Sequence, residues 1–326
     1  MTSLLSGPLT SHFEPTHSPI ALKRLSHPHS RRHYPHDTSA EAQLEHQAVP
    51  LRAHILLTED NPINREVTLG MVDLLGCTVT RVDNGCEALD AASQTAFDLI
   101  LMDCQMPEMD GFTATTAIRR QETDAAGGRH VPIIALTANA MEGDRARCLA
   151  AGMDDYLAKP FTLSQFKAVL TQWLTPGQIA AADADQPTAP PTALATPPTS
   201  APVQPVATGV DKTAWAEIQA LQRPGRPDIL ARVLARYLED SRQLVEQIHS
   251  AVHGHDPVTL HRAAHRLKSS SAQLGALATA AHCKDLATLG RLAQLERAEG
   301  LLIPLTQAHA TACAVMTKEL QAREGR

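Results

Sequence analysis

The stretch Phe97-Asp98-Leu99-Ile100-Leu101-Met102-Asp103 is apolar but for Asp98 before ending on a carboxylate. A short continuous apolar run of this kind is the mark of a strand buried on both faces, as in a parallel sheet. Two further runs read the same way, Ala53–Thr58 upstream and Val131–Thr137 downstream. Cys77–Val82 is β-branched and alternating, and Tyr156–Ala158 is a last short strand. Helical patterns fill the intervals: a start at Asn61-Pro62, with a capping residue and a proline in the first turn, then Gly85–Ala92, Gly111–Gln121 and Leu163–Trp173. Five β-α units predict a doubly wound α/β domain, a five-stranded parallel sheet with helices on both faces, over residues 51–175.

Beyond residue 208 the pattern is helical only. Ile229, Val233, Leu234, Tyr237, Leu238, Leu244, Val245 and Ile248 follow a 3.6-residue period. A second helix is expected from about Asp256 to Gly275, and two alanine- and leucine-rich segments follow. These predict a separate all-α antiparallel bundle over 209–326. A length of 326 residues suits two domains. With aromatics at 3% and hydrophobic residues at 43%, both cores must be aliphatic.

The flanks read differently. Residues 1–50 are rich in His, Pro and Ser, with no sustained apolar period, and predict a disordered tail. Residues 176–208 hold eight prolines, nine alanines and no lysine or arginine, which predicts a linker. Charge is uneven. Residues 51–175 carry 10 basic against 17 acidic groups, while 209–326 carry 15 against 12. An acidic module tethered to a mildly basic one is drawn toward it, within the reach that salt allows. No segment has the basic excess of a nucleic-acid binder, and no apolar run approaches the ~20 residues of a membrane span. The six cysteines form no C-x-x-C pair, and the N-terminus lacks the pattern of an export signal. Both features lead us to expect a cytoplasmic location.

Ligands of open parallel sheets bind at the carboxyl ends of the strands. Here those ends carry Glu59-Asp60, Asp103, Thr137 and Lys159. Singly, each has a bland reading as a helix cap, a loop carboxylate, a strand terminus or a surface lysine. Together they bring three carboxylates to one place, where two charges 4 Å apart repel by about 4 kcal/mol at an effective dielectric near 20. A divalent cation that favours oxygen ligands, with the ammonium of Lys159, would balance them.

The same residues stand in four longer strings: Thr58-Glu59-Asp60-Asn61-Pro62-Ile63-Asn64-Arg65, Leu101-Met102-Asp103-Cys104-Gln105-Met106-Pro107-Glu108-Met109-Asp110-Gly111, Ala135-Leu136-Thr137-Ala138-Asn139-Ala140, and Gly152-Met153-Asp154-Asp155-Tyr156-Leu157-Ala158-Lys159-Pro160. This set resembles the receiver domain of two-component response regulators, above all the receivers attached to hybrid sensor kinases. The resemblance implies that Asp103 accepts a phosphoryl group from a phosphohistidine. It implies Mg²⁺ held by Glu59, Asp60, Asp103 and the carbonyl of Gln105, with Thr137 and Lys159 on the phosphoryl oxygens. It also implies Tyr156 as the switch aromatic and a cis Lys159–Pro160 peptide.

In the helical region, Ala264-His265-Arg266-Leu267-Lys268-Ser269-Ser270-Ser271 resembles the histidine-phosphotransfer (HPt) motif, a family of four-helix bundles. Leu260, Ala264, Leu267, Ser271 and Leu274 form the core stripe, which leaves His265 near its edge with Lys268 and Ser269 one turn on. The resemblance implies His265 as a second phospho-acceptor, and Lys268 brings positive charge for the incoming group. Ser269 replaces the family's usual glycine. A small residue there leaves the imidazole accessible, and its hydroxyl is placed to slow docking slightly or to donate a hydrogen bond. His261, one turn earlier, reads as a solvated neighbour.

No glycine-rich ATP-binding box, histidine-kinase catalytic domain or DNA-binding output domain is recognisable in the sequence. The expected function is a phosphorelay intermediate, from an upstream sensor histidine kinase to Asp103, then His265, then a separate downstream response regulator. An aspartate-nucleophile phosphatase would need Asp-x-Asp, and Gln105 stands where its second carboxylate belongs. The competing reading is a phosphate sink, or a docking scaffold controlled by phosphorylation, with no onward transfer.

Overall fold

Strands β1 (His54–Thr58), β2 (Thr78–Val82), β3 (Leu99–Asp103), β4 (Ile133–Thr137) and β5 (Asp155–Ala158) form one sheet in the order β2-β1-β3-β4-β5. All four pairings are parallel. The computed structural model describes residues 51–124, 129–138, 142–174 and 209–325, without the side chains of 142–144. The expectations for the tail 1–50 and the linker 176–208 lie outside the described residues.

Two strands start later than their apolar runs. β3 begins at Leu99 because Asp98 and Phe97 are used otherwise. The Asp98 carboxylate accepts from the His54 backbone N–H at 2.8 Å, and the Phe97 ring lies 4.8 Å from that of His54. β4 begins after Pro132, which has no N–H to give and only accepts, from Ile100 N at 2.8 Å. The switch of chain direction on either side of β1 opens the sheet's carboxyl edge between β1 and β3, where Glu59, Asp60 and Asp103 emerge.

Helices α1 (Pro62–Leu74), α2 (Gly85–Gln94), α3 (Gly111–Asp124), α4 (Glu142–Ala150) and α5 (Leu163–Trp173) connect and cover the strands. Asn61 caps α1 as expected, its Oδ1 accepting from Ile63 N at 3.0 Å. Thr162 and Gln165 cap α5 reciprocally. Alternate residues of the strands feed two cores. Leu56, Ile100, Met102 and Ile133 face Ala88, Ala114 and Ile118 of α2 and α3. Ile55, Leu57, Leu101 and Leu136 face Val67 and Met71 of α1 and Phe166 and Leu170 of α5.

Gly111 shows how closely the loop after β3 is folded back. A Cβ there would lie 2.1 Å from the Asp103 carbonyl oxygen, a backbone atom that cannot step aside. Gly111→Ala is therefore expected to destabilise the α/β domain by about 1–3 kcal/mol, the usual cost of overpacking. Thermal unfolding followed by circular dichroism checks this, and a transition within error of wild type would show that the loop yields.

The C-terminal region consists of α6 (Thr213–Ala220), α7 (Ile229–His253), α8 (Pro257–Gln273), α9 (Leu277–Arg291) and α10 (Leu295–Glu324). α7 to α10 make the expected four-helix bundle. α6 is an addition that its short, uncapped sequence did not announce. It is fastened by Trp215, 3% exposed, whose indole N–H donates to the Leu274 carbonyl at 3.0 Å.

The two domains are packed together. The core on the α1 side of the sheet continues into the bundle as one apolar cluster. α1 lies against α7, with Gly70 so close that a Cβ would sit 2.7 Å from Ile229 Cδ1. Charges frame this contact with the polarity read from composition. Arg232 pairs with Glu66, and Arg223 donates to the Asp73 carbonyl at 2.9 Å while its guanidinium lies 3.1 Å from the Asp73 carboxylate. In each case the receiver-like domain gives the acid and the bundle gives the base.

Candidate functional site

Glu59 and Asp60 follow β1, Asp103 ends β3, Thr137 ends β4, and Lys159 follows β5. The parallel topology thus delivers all five to one edge of the sheet. One oxygen each from Glu59, Asp60 and Asp103 lies within 4.8 Å of the others. Lys159 Nζ donates to Glu59 Oε2 at 2.5 Å and to Asp103 Oδ2 at 2.7 Å. Its backbone N–H is held by the Thr137 carbonyl at 2.7 Å, and the Lys159–Pro160 peptide is cis. Gln105 follows at the start of the next loop, its N–H donating to Asp103 Oδ1 at 3.2 Å. Thr137 is buried, and Tyr156 is half-buried against the α2/α3 core.

The electrostatics follow from burial. Glu59, fully buried, has its pKa raised to about 8 by desolvation, which outweighs the opposing pull of Lys159. Burial and then the neighbouring Asp103 carboxylate push Asp60 up to about 6. For Lys159, burial opposes the charge, but Asp103 and Glu59 together hold its pKa above the ordinary lysine value. One ammonium, even with the Arg266 guanidinium near Asp60, cannot neutralise three carboxylates. The set is a concentrated oxygen donor site with an unmet negative charge, and it fits a small hard divalent cation.

The bundle supplies the other half of the site. His265 and Lys268 of α8 line a cavity of about 340 Å³ together with Asp103 and Thr137. Burial, and then the Lys268 charge, lower the His265 pKa to about 3, with the Asp103 carboxylate pulling the other way. The imidazole is therefore neutral near pH 7 and retains a ring nitrogen lone pair. His261 is no solvated neighbour. Its Nδ1 donates to the Ala287 carbonyl at 2.8 Å, and its ring lies 6.2 Å from that of His265.

Several contacts at this junction had no counterpart in the sequence reading. Asn61, besides capping α1, donates from Nδ2 to the Arg266 carbonyl at 3.0 Å. Asn64 donates from Nδ2 to Ser269 Oγ at 2.7 Å and to Glu59 Oε1 at 3.2 Å. Arg266 Nε lies 3.6 Å from Asp60 Oδ2. The Ser269 hydroxyl thus accepts a bond from the opposite domain. Two signals stood in the sequence: the charge asymmetry, which says that the domains attract but not where they meet, and Ser269, whose hydroxyl accepts the bond here instead of donating one as expected.

An aspartate, two further carboxylates, a threonine and a lysine thus stand at the carboxyl edge of a five-stranded parallel sheet, with a bundle histidine lining the same cavity as Asp103 and Thr137. Residues 55–171 match the response regulator receiver domain and residues 232–322 match the Hpt domain. The chain thus carries a receiver domain and an HPt domain, a pairing that fits phosphorelay signalling. The sensor histidine kinase GacS of Pseudomonas protegens is 43% identical over 119 residues, 36% of this chain and 13% of GacS. The hybrid signal transduction protein dokA of Dictyostelium discoideum is 42% identical over 123 residues, 38% of this chain and 7% of dokA. The chain therefore spans a small part of these relatives. The receiver domain of the sensor histidine kinase PA1611 from Pseudomonas aeruginosa, solved with a magnesium ion in its active-site cleft, is 51% identical. That match covers 37% of this chain and 97% of that one, with a TM-score of 0.35. Among the described residues, no helix is long and apolar enough to cross a membrane.

Proposed function

We propose that this protein is a phosphorelay intermediate in which Asp103 and His265 exchange a phosphoryl group within one chain. The receiver occupies residues 51–175 and the HPt domain 209–326, with 176–208 as the tether. The observation that carries this reading is that Asp103 and His265 line one cavity between the two domains.

The Asp103 carboxylate attacks phosphorus of a phosphohistidine on an upstream sensor histidine kinase. The P–N bond breaks, a P–O bond forms, and the donor imidazole leaves. Glu59, Asp60, Asp103 and the Gln105 carbonyl would hold Mg²⁺, which when bound supplies the positive charge that the carboxylates lack. Lys159, already against Asp103, and Thr137 at the neighbouring strand end bind the phosphoryl oxygens. Such transfer rests on positioning and charge neutralisation more than on covalent work by the protein. In the second step the neutral imidazole of His265 attacks the acyl phosphate, its P–O bond breaks, and Asp103 regains its carboxylate. Lys268 keeps positive charge beside the moving group. Tyr156 serves as the aromatic that reports the state of the site. A separate downstream response regulator takes the group from His265. The reading places the protein in the cytoplasm and calls for neither nucleic acid nor membrane insertion.

The two phosphorylated species differ chemically, and this gives the test. Phospho-Asp103 is a mixed anhydride, cleaved by hydroxylamine and by base. Phospho-His265 is a phosphoramidate, cleaved by acid and stable in base. Wild-type protein incubated with a phosphorylated kinase is expected to carry both. Label of only one kind, over a full time course, would rule out the two-step relay.

A further inference from the structure

Asn61 and Asn64 stand one turn apart at the start of α1, and Arg266 and Ser269 stand one turn apart on α8. The two pairs meet, amide to carbonyl at 3.0 Å and amide to hydroxyl at 2.7 Å. The first contact reaches only backbone, which any HPt helix offers. The second depends on a side chain, Ser269, at the position where the HPt motif ordinarily has glycine. Asn64 is 4% exposed and spends its other amide hydrogen on Glu59, a carboxylate of the acidic cluster. Ser269 therefore touches a receiver group that is buried, fixed in orientation and directly joined to the phospho-acceptor site.

We infer that Ser269 is a partner-selecting residue: it favours a receiver whose first helix presents a carboxamide where Asn64 stands, and it disfavours one with an aliphatic side chain there. The inference rests on the relay reading given above. Glycine at 269 would tolerate either partner, since it offers nothing to leave unsatisfied. The Ser269 hydroxyl is half-buried at the junction, so against an aliphatic group it loses part of its hydration without regaining the bond, at a cost that scales with that partial burial. Arg232 of α7, and Arg223 in the loop before it, add a weaker preference for acids at the positions of Glu66 and Asp73, because exposed ion pairs contribute little each. The chain's own receiver satisfies every one of these conditions. Among separate response regulators, those with the same carboxamide are the fitting acceptors from His265.

The test is single-turnover transfer in the full chain. Asp103 is first labelled with a small phosphodonor, and transfer is scored as the fraction of that label reaching His265 with time, so that labelling efficiency cancels. Ser269→Ala, which removes the acceptor and strands the Asn64 amide, is expected to slow transfer about fivefold. Asn64→Leu is expected to slow it about tenfold. Adding Ser269→Gly to Asn64→Leu should recover at least threefold of that loss, which general damage to the receiver would not allow. An unchanged rate in Ser269→Ala overturns the inference, whether or not Asn64→Leu folds. Absence of rescue in a folded double variant also overturns it. Absence of label on His265 in the wild type, by contrast, removes the relay reading itself.

Discussion

Asp103→Asn is expected to abolish labelling by a small phosphodonor in the presence of Mg²⁺, a loss of at least about a hundredfold, or roughly 2.7 kcal/mol of transition-state stabilisation. The amide keeps the shape of the side chain but has no anionic oxygen to attack phosphorus. It also removes one of the three carboxylates gathered within 4.8 Å. Asp60→Ala is expected to leave the nucleophile in place and weaken Mg²⁺ binding severely. The two variants therefore separate the acceptor from the cation site. Metal titration followed by intrinsic fluorescence reads the second effect without any phosphorylation. Persistent Mg²⁺-dependent labelling of Asp103→Asn would mean that another residue is the acceptor and that the site has been assigned wrongly.

Transfer from Asp103 to His265 should be independent of protein concentration through the micromolar range. Two features of the chain lead to this. Residues 176–208, read from their composition as a linker, would as a flexible coil span roughly 30 Å and give an effective concentration on the order of millimolar. The docked interface then orients the partners, with Ile229 packed on Gly70 and Asn64 bonded to Ser269. Mixing His265→Gln, which can only donate, with Asp103→Asn, which can only accept, forces the reaction to occur between molecules. At low micromolar concentration the mixture should run about a hundredfold slower than wild type, the ratio of the effective to the actual concentration. Its rate should rise with concentration while that of the wild type does not. A mixture as fast as wild type would show that the tether and the docked face confer no advantage, and intramolecular relay would have to be abandoned.

Much of the receiver was legible because its determinants are local. The apolar runs can be buried only as strands, Asn61-Pro62 can hardly do other than begin a helix, and parallel order forces the strand ends, with their carboxylates and Lys159, to one edge. In the bundle, helical periodicity separates the core stripe from His265, but only the resemblance of its surrounding string to the HPt motif singles that histidine out from the others. Strand starts were less so: β3 and β4 begin two residues late because Asp98 and Pro132 have competing hydrogen-bond roles that no apolar pattern records. α6 was missed because eight residues without a side-chain cap carry too weak a period.

What the sequence by itself determined is the make-up of each half: two folds, an acidic cluster with a lysine at the strand ends, a histidine beside the bundle's core stripe and the opposite charge of the two modules. Only the tertiary structure decided that the halves meet through α1 and α8, that His261 is anchored to a backbone carbonyl, and that Ser269 receives a hydrogen bond from Asn64. The physical reason is sequence distance. The contacts between the halves join residues 205 positions apart and the His261 bond joins two helices 26 positions apart, and their energies come from shape and direction across packed surfaces, which neither periodicity nor composition encodes.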